Sequence, residues 1–137
     1  MRPNSEIALE TTLRASVIHL SDRIYLFRRR RAARERELVA LKTKHSCIGD
    51  VRGLGLFWAV ELVQDRATKK PLNTMQDKIT GKPLTVDKVA AEMLKNGVAV
   101  QAWISHFVIA PPLIIDKSDI DFGVSVLDAA LGRVGAA

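Results

Sequence analysis

Several residue types that often define a protein class are scarce in this chain. Cys47 is the only cysteine among 137 residues, which excludes an internal disulfide and a metal site built on paired cysteines. No apolar run reaches the roughly 18 to 20 residues that a membrane span requires, and the N-terminus lacks the pattern of a signal peptide. We therefore expect a cytoplasmic protein with no membrane and no metal partner, in which Cys47 is an inert, half-buried side chain.

The remaining composition is that of an ordinary globular chain. Apolar residues make up 47% and charged residues 26%, although aromatic residues make up only 5%. These values are close to the average for soluble domains, and the length suits a single hydrophobic core. His19 and His45 have no carboxylate or cysteine at ligand spacing, so both are interpreted as surface residues.

The net charge of +6 is confined to the N-terminal third. Residues 1–45 carry eleven Lys or Arg against five Asp or Glu, whereas residues 46–137 carry ten of each. The centre of the excess is the run from Arg28 to Arg31, which could neutralise the phosphates of a nucleic acid. No helix-turn-helix, zinc or RNA-binding signature accompanies the run. A solvated helix face is therefore favoured over nucleic-acid binding.

The N-terminal third favours helix, because residues 5–44 contain neither proline nor glycine. The pattern is clearest over residues 32–44, where Leu38 and Leu41 form an apolar stripe beside a charged face. The apolar residues before this segment follow a helical period only loosely.

Residues 47–63 change to a strand pattern, with apolar residues alternating from Leu54 onward. Gly53 and Gly55 interrupt it, and glycine in a strand marks a bulge, a bend or a close approach of backbones. A phosphate-binding loop is disfavoured here, because the segment lacks a GK[ST] ending and is followed by a strand instead of a helix.

Residues 64–84 are polar and rich in turn formers, which predicts a surface loop. A helix follows, with Thr85 as its N-cap and Gly97 at the position after its end. Its predicted buried face consists of Val86, Val89, Ala90, Met93 and Leu94.

Two short strands are predicted next, over residues 98–102 and 107–110, joined by a link at residues 103–106. The last helix is capped by Asp116 or Ser118. It buries a face made of Ile120, Val124, Leu127 and Leu131. This order of elements predicts an α+β fold, with a small, mainly antiparallel sheet covered on one side by helices.

Two segments carry a family resemblance. Residues 49–63, GDVRGLGLFWAVELV, and residues 110–115, APPLII, resemble the C-terminal small domain of class III aminotransferases, which are fold-type-I enzymes dependent on pyridoxal phosphate. Three further segments fit the same family in the same order, namely Leu38 to His45, Asp65 to Thr68 and Ile120 to Leu131. Together they cover residues 34–134.

The resemblance implies transamination, in which an amino group passes from an amine or ω-amino acid to a 2-oxo acid. Residues 97–112 resemble most the members that act on taurine, 4-aminobutyrate and other ω-amines. Intact relatives are homodimers. Their cofactor lysine belongs to a large domain that precedes this one, and none of the nine lysines here lies in a motif similar to it. We expect no catalytic and no cofactor-binding residue in this chain, and no activity or pyridoxal phosphate binding from it alone.

In such enzymes the small domain closes over the substrate and helps to hold its acid group. Many members have an arginine where Gln101 stands, and ornithine-type members have one where Val108 stands. The candidate substrate-binding residues are Gln101, Trp103 and His106. Packing within the link between the strands is the alternative for Trp103 and His106, and it is the favoured interpretation for Ser105.

Residues 1–33 do not resemble the family and are assigned to an irregular basic segment that precedes a domain over residues 34–137. Two explanations stay open: a truncated or frame-shifted product, and a natural remnant with a new role. In the second case the basic helix would make the chain a binding module for a nucleic acid, an acidic polymer or an intact aminotransferase subunit.

Overall fold

A computed structural model describes residues 36–134 of the chain. The basic segment, its arginine run and the binding module based on it lie outside the described residues. The elements in chain order are α1, described over residues 36–44, β1 (Ile48–Leu54), β2 (Phe57–Asp65), β3 (Lys70–Pro71), α2 (Met75–Ile79), α3 (Thr85–Lys95), β4 (Gln101–Trp103), β5 (His106–Ile109) and α4 (Lys117–Val134). The predicted α+β fold with an antiparallel sheet is confirmed.

Strand β2 is the centre of the sheet. The strand order is β1-β2-β5-β4, every pair is antiparallel, and the short β3 pairs with the end of β2. β1 and β2 form a tight hairpin whose turn contains Gly55 with a φ of 64°, so glycine provides the bend that the sequence predicts there. The strand predicted over residues 98–102 begins only at Gln101. The N–H of Val98 instead donates to the carbonyl of Met93 at 3.1 Å, at the end of α3.

One face of the sheet lies in the core, whereas most side chains of the outer, more open face are exposed or half-buried. Trp58, Val60 and Leu62 alternate along β2 and are 4%, 0% and 0% exposed, and Phe107 of β5 is fully buried beside them. The helices α1, α3 and α4 cover this inner face. Their buried side chains join the same cluster, namely Leu38, Leu41, Val86, Val89, Met93, Val126, Leu127, Ala130 and Leu131.

The predicted surface loop over residues 64–84 contains two short elements instead. In β3, Pro71 pairs with Val63, and α2 follows a capping box made by Thr74 and Asp77. The Asp77 N–H donates to Thr74 Oγ1 at 3.3 Å, and the Thr74 N–H donates to Asp77 Oδ2 at 2.8 Å. The helix was missed because its five residues bury nothing, so it leaves no apolar period in the sequence.

The predicted cap of α3 is also wrong. Thr85 is the first helical residue, and Leu84 occupies the N-cap position without a side-chain hydrogen bond. The Thr85 N–H donates at 2.8 Å to Oδ1 of Asn73, whose buried side chain takes over the capping role from a distance of twelve residues. At the other end, Gly97 has a φ of 82° and ends the helix as predicted.

Two side chains differ in burial from the prediction: Leu94 is exposed and His45 is buried. Leu94 is 64% exposed, because the packed face of α3 is narrower than predicted and consists of Val86, Val89 and Met93. His45 is only 4% exposed, because the chain turns there from α1 into β1 and carries the ring toward α4.

The Arg66 guanidinium joins α1 to the sheet. Its Nε–H donates to the carbonyl of Ile48 at 2.9 Å, and Nη2 donates to the carbonyls of His45, at 2.5 Å, and of Lys42. The last carbonyls of a helix have no partner within the helix, so a donor from elsewhere can satisfy them. Arg66, which directly follows β2, therefore caps α1 and fixes the start of β1.

His45 and Lys44 join the same end of α1 to α4. His45 Nε2–H donates to Asp128 Oδ1 and Lys44 Nζ donates to Asp128 Oδ2, both at 2.5 Å. His45 Nδ1 is buried and has no hydrogen-bond partner in the described part of the chain. The pKa of Asp128 is held below its usual value mainly by the Lys44 ammonium, with the bond from His45 adding to it.

Replacing Gly53 tests the close approach within the first hairpin. A Cβ atom at Gly53 would lie 2.4 Å from the carbonyl oxygen of Phe57 and 2.5 Å from the ring of Trp58, so Gly53→Ala should lower the free energy of unfolding by about 1 to 3 kcal/mol. Gly123→Ala, in open space on α4, is the matched control and should raise it by about 0.5 to 1 kcal/mol. Urea unfolding measures both, and equal effects would contradict the hairpin geometry.

Replacing Arg66 tests the cap of α1. We expect Arg66→Ala to cost about 1.5 to 3 kcal/mol of unfolding free energy, since three carbonyls lose a charged donor. Arg133→Ala removes the same side chain from an exposed ion pair with Glu92 and should cost less than about 1 kcal/mol. If the two variants were equally stable, Arg66 would not be the cap.

The lowered pKa of Asp128 predicts a pH-dependent contribution to stability. Folding favours the ionised carboxylate, so the contribution is complete above the usual Asp pKa and is lost as pH falls through the lowered value. The difference in unfolding free energy between wild type and Asp128→Asn should therefore be largest near neutral pH and shrink below about pH 4. Denaturation at several pH values measures it, and a constant difference would refute the prediction.

Candidate functional site

The three predicted substrate-binding residues lie on the open face of the β4–β5 hairpin. Trp103 is the partner of His106 across the two strands, and Gln101 is the partner of Val108. Alternate residues of a strand point to the same side of a sheet, so these four side chains share one face, while Phe107 between them is buried in the core. Gln101 and Trp103 are exposed and His106 is half-buried.

This register brings together two positions that the family resemblance singled out separately. Gln101 and Val108, the two positions at which the resemblance implies an arginine in other members, are direct cross-strand partners. The Cβ atoms of such partners lie about 4.5 to 5.5 Å apart. A group bound at either position would therefore contact the same small area of the open face.

The turn that joins the two strands has an unusual backbone. Ile104 has a φ of 54°, in the left-handed region that β-branched residues rarely adopt. Ser105 is buried, and its carbonyl accepts the N–H of Leu62 at 2.6 Å. Ser105 thus belongs to the packing of the hairpin against β2, and the turn holds Trp103 and His106 in their paired positions.

Trp103 has a cationic neighbour that the sequence did not reveal. Lys78 Nζ lies 3.4 Å from the centroid of the Trp103 ring, and the ring itself is 44% exposed. A cation over an exposed ring gains about 0.5 to 1 kcal/mol. The Thr74-Met75-Gln76-Asp77 capping box is the one sequence signal for the helix that carries Lys78.

Charged side chains continue along the same face onto β2 and β1. Glu61 is the partner of His106 across β2 and β5, and Arg52 Nη1 donates to Glu61 at 2.9 Å and to Asp50 at 2.8 Å. The bond from Arg52 lowers the pKa of Asp50, and the bond to Glu61 is the main cause of the raised pKa of Arg52. Both carboxylates are therefore ion-paired.

The two segments that carry the family resemblance meet at the tip of the first hairpin. A shallow concavity there is lined by Leu54, Phe57, Ala110, Pro111 and Leu113. Leu54 and Phe57 are 74% and 59% exposed, which makes this end of the molecule apolar. None of the three predicted substrate-binding residues lines it.

The described residues do not fit a cofactor held as a Schiff base. A lysine that forms a Schiff base with a cofactor is activated in a desolvated pocket. All nine lysines of the chain lie among residues 36–134, where eight are exposed, and Lys42 is half-buried at the surface with its Nζ 3.8 Å from Asp50. No step of a cofactor reaction can be derived from these side chains.

Residues 36–134 give little support for a metal site, a membrane-spanning helix or a reactive cysteine. This part of the chain holds no cluster of three metal-ligating side chains and no helix that is both long and apolar enough to cross a membrane. Cys47 is 6% exposed, hence buried and not half-buried as predicted. Burial raises the pKa of its thiol, which disfavours the reactive thiolate.

Comparison with known families gives one match that spans most of the chain. The family model for aminotransferase class-III matches residues 15–131. The matched range includes residues 15–33, upstream of the boundary predicted at residue 34. That division of the chain stays a prediction.

Curated relatives and solved structures agree with the family match. The hypotaurine/taurine–pyruvate aminotransferase of Paracoccus denitrificans is 37% identical over 106 residues, which cover 72% of this chain and 21% of the relative. The ethanolamine-phosphate phospho-lyase homolog 1 of Caenorhabditis elegans is 35% identical over 94 residues, 66% of this chain and 18% of the relative. The chain spans about a fifth of the length of the curated relatives it matches.

Two solved structures share the fold closely. An amine transaminase from an uncultivated Pseudomonas species, in a PLP-bound form, has a TM-score of 0.72 and 28% identity over 88% of this chain and 26% of its own. A PMP-bound aminotransferase from Vibrio fluvialis has a TM-score of 0.71 and 25% identity over 85% of this chain and 24% of its own. Family model, relatives and fold lead to one conclusion: the chain belongs to the class III aminotransferases, a family that depends on pyridoxal phosphate.

Proposed function

We propose that the chain is the substrate-closing small domain of a transaminase that moves an amino group from an amine or ω-amino acid to a 2-oxo acid. Gln101, Trp103 and His106 are its substrate-binding residues. They form the part of the site that meets the acid end of the substrate.

The pairing of Gln101 with Val108 on the open face is the observation that carries this proposal. The two positions at which the resemblance implies an arginine are therefore neighbours on one face. A side-chain amide at that place still offers two N–H donors to a sulfonate or carboxylate, but without the positive charge of a guanidinium. Such a site suits taurine-like and ω-amino substrates better than common 2-amino acids, which agrees with the names of the taurine–pyruvate relatives.

The proposed cofactor of the whole enzyme is pyridoxal phosphate. Pyridoxal phosphate supplies an electron sink when it is bound. Since no lysine among the described residues is buried, we propose that the cofactor lysine is supplied from outside residues 36–134, and that the 137 residues alone neither bind the cofactor nor transaminate. A homodimer is the proposed assembly, by likeness to intact family members.

Elimination is a second candidate reaction. It is favoured by the phospho-lyase homolog and by a relative named (R)-1-hydroxy-2-aminoethylphosphonate ammonia-lyase, which is 30% identical over 99 residues. The two reactions differ in their products, because an elimination releases ammonia and requires no 2-oxo acid. Its acid group would be a phosphate or phosphonate.

A chimera tests the proposed function and the role of Gln101. Residues 34–134 would replace the corresponding part of the Paracoccus taurine–pyruvate aminotransferase, and alanine formation from pyruvate would be measured with taurine, 4-aminobutyrate and β-alanine. We expect turnover from the chimera and none from the 137 residues mixed with pyridoxal phosphate. Ammonia release without a 2-oxo acid would favour the lyase, and turnover by the 137 residues alone would refute the assignment of the lysine.

In the same chimera, Gln101→Arg should shift preference toward substrates with a carboxylate near the reacting carbon, through a charge-assisted bond worth about 1.5 to 3 kcal/mol in kcat/KM. Gln101→Ala should mainly raise KM, because a bond made equally in the ground and transition states contributes to binding alone. Lys88→Gln, an exposed change on α3, is the control. An active chimera in which neither Gln101 variant alters KM or preference would remove Gln101 from the site.

A further inference from the structure

Lys78 carries a positive charge that the structure does not neutralise with a carboxylate. Among residues 36–134, no Asp or Glu lies within ion-pair distance of Lys78 Nζ, which instead lies 3.4 Å from the centroid of the Trp103 ring. The nearest acidic residue in sequence, Asp77, accepts bonds from Thr74 and from Lys82 Nζ at 3.1 Å. Within this part of the chain, the charge of Lys78 thus has no carboxylate partner.

The position of this charge coincides with the proposed site. Gln101 lies two residues before Trp103 on the same side of β4, a separation of about 7 Å along a strand. His106 flanks the ring on the neighbouring strand, and the carboxylate of Glu61 beyond it is occupied by Arg52. An anion near Trp103 would thus meet Lys78 and Gln101 as donors, and the two neighbouring carboxylates, Glu61 and Asp77, are paired with Arg52 and Lys82.

We propose that Lys78 and Gln101 together form an anion subsite for the acid group of the substrate, a sulfonate or a carboxylate. Lys78 supplies from α2 the positive charge that many relatives supply from an arginine at position 101. The inference rests on the proposed function for the identity of the anion, but the subsite itself follows from the free charge and its place beside Gln101.

Without a bound anion, the Lys78 ammonium lies over the Trp103 ring. A cation over an exposed ring keeps most of its water, so the contact is weak and readily exchanged for a charge-assisted bond to an anion. Because α2 buries no residue, a small movement of the helix toward the strand disturbs no core packing. Lys78 can therefore reach a bound acid group while its aliphatic stem still covers the ring.

The competing interpretation is that Lys78 merely packs its stem on Trp103. The two differ in the response to small anions, which can be measured on the 137-residue chain without cofactor or turnover. Each indole N–H gives one NMR signal, and the chain has two tryptophans. Trp58 is 4% exposed and donates to the carbonyl of Gly55 at 2.9 Å, so its signal is an internal reference.

The experiment is a titration with methanesulfonate and with acetate at constant ionic strength, with neutral dimethyl sulfone as the probe control. We expect a saturable shift of the Trp103 signal with both anions and none with the neutral probe. Lys78→Gln should weaken the anion affinity roughly three- to fivefold, and Lys78→Arg should preserve it. Lys88→Gln removes the same charge from an exposed site on α3 and should leave the affinity unchanged.

Three outcomes would overturn the subsite: no saturable shift in the wild type, equal affinity in Lys78→Gln, or an equal loss in Lys88→Gln, which would indicate general charge attraction. Failure of the proposed function gives a different result, since an inactive chimera leaves the anion titration unaffected. Circular dichroism of each variant verifies the fold. Lys78 is exposed, so its replacement should leave the fold intact.

Discussion

The end of α1, the start of β1 and the end of β2 converge on one side chain, that of Arg66. A planar guanidinium has five N–H donors in a fixed arrangement, so it can serve several carbonyls at once where a lysine would serve them poorly. Because the contact sets the direction of α1, it also sets where Leu38 and Leu41 enter the core. The described helices α1, α3 and α4 pack on the inner face of the sheet and not on its outer face.

The inner face of the sheet contributes to stability, whereas the outer face carries the candidate binding residues. Phe107 and Val60 hold β5 and β2 against the helices, while the residues between them, such as His106 and Ala59, face outward. Exchanging an outward side chain leaves no cavity in the core, so the chemistry of this face can change without loss of fold. Under the proposed function, Gln101 is one such exchange, and Lys78 of α2 supplies the positive charge.

The main architecture was predictable from the sequence because most of its elements have an apolar period. The alternation along β2 and the spacing of Leu127 and Leu131 in α4 each predicted the face that is buried. The predictions of the α3 cap and of the exposure of His45 were wrong, because contacts between residues distant in sequence determine both. Asn73 caps α3 across twelve residues, and the burial of His45 depends on Asp128, 83 residues away.

The candidate site was predictable only in part. Gln101, Trp103 and His106 were named from the resemblance, and their place on one face follows from strand alternation once the register of β4 and β5 is known. That register depends on a two-residue turn with Ile104 in a left-handed conformation, which no sequence preference indicates. Lys78 could not be found, because α2 has no apolar pattern and its contact with Trp103 spans 25 residues of sequence.

After β3 has paired with the end of β2, the chain next pairs with β2 at β5, so residues 72–105 form a closed excursion. The entropy needed to close a flexible loop grows with the logarithm of its length, by about 0.6 kcal/mol for each doubling. A change in the length of the segment between Leu72 and Leu84 therefore alters the cost of joining β2 to β5 very little. The α2 region, including the residue that contacts Trp103, can vary in length at little cost to the rest of the fold.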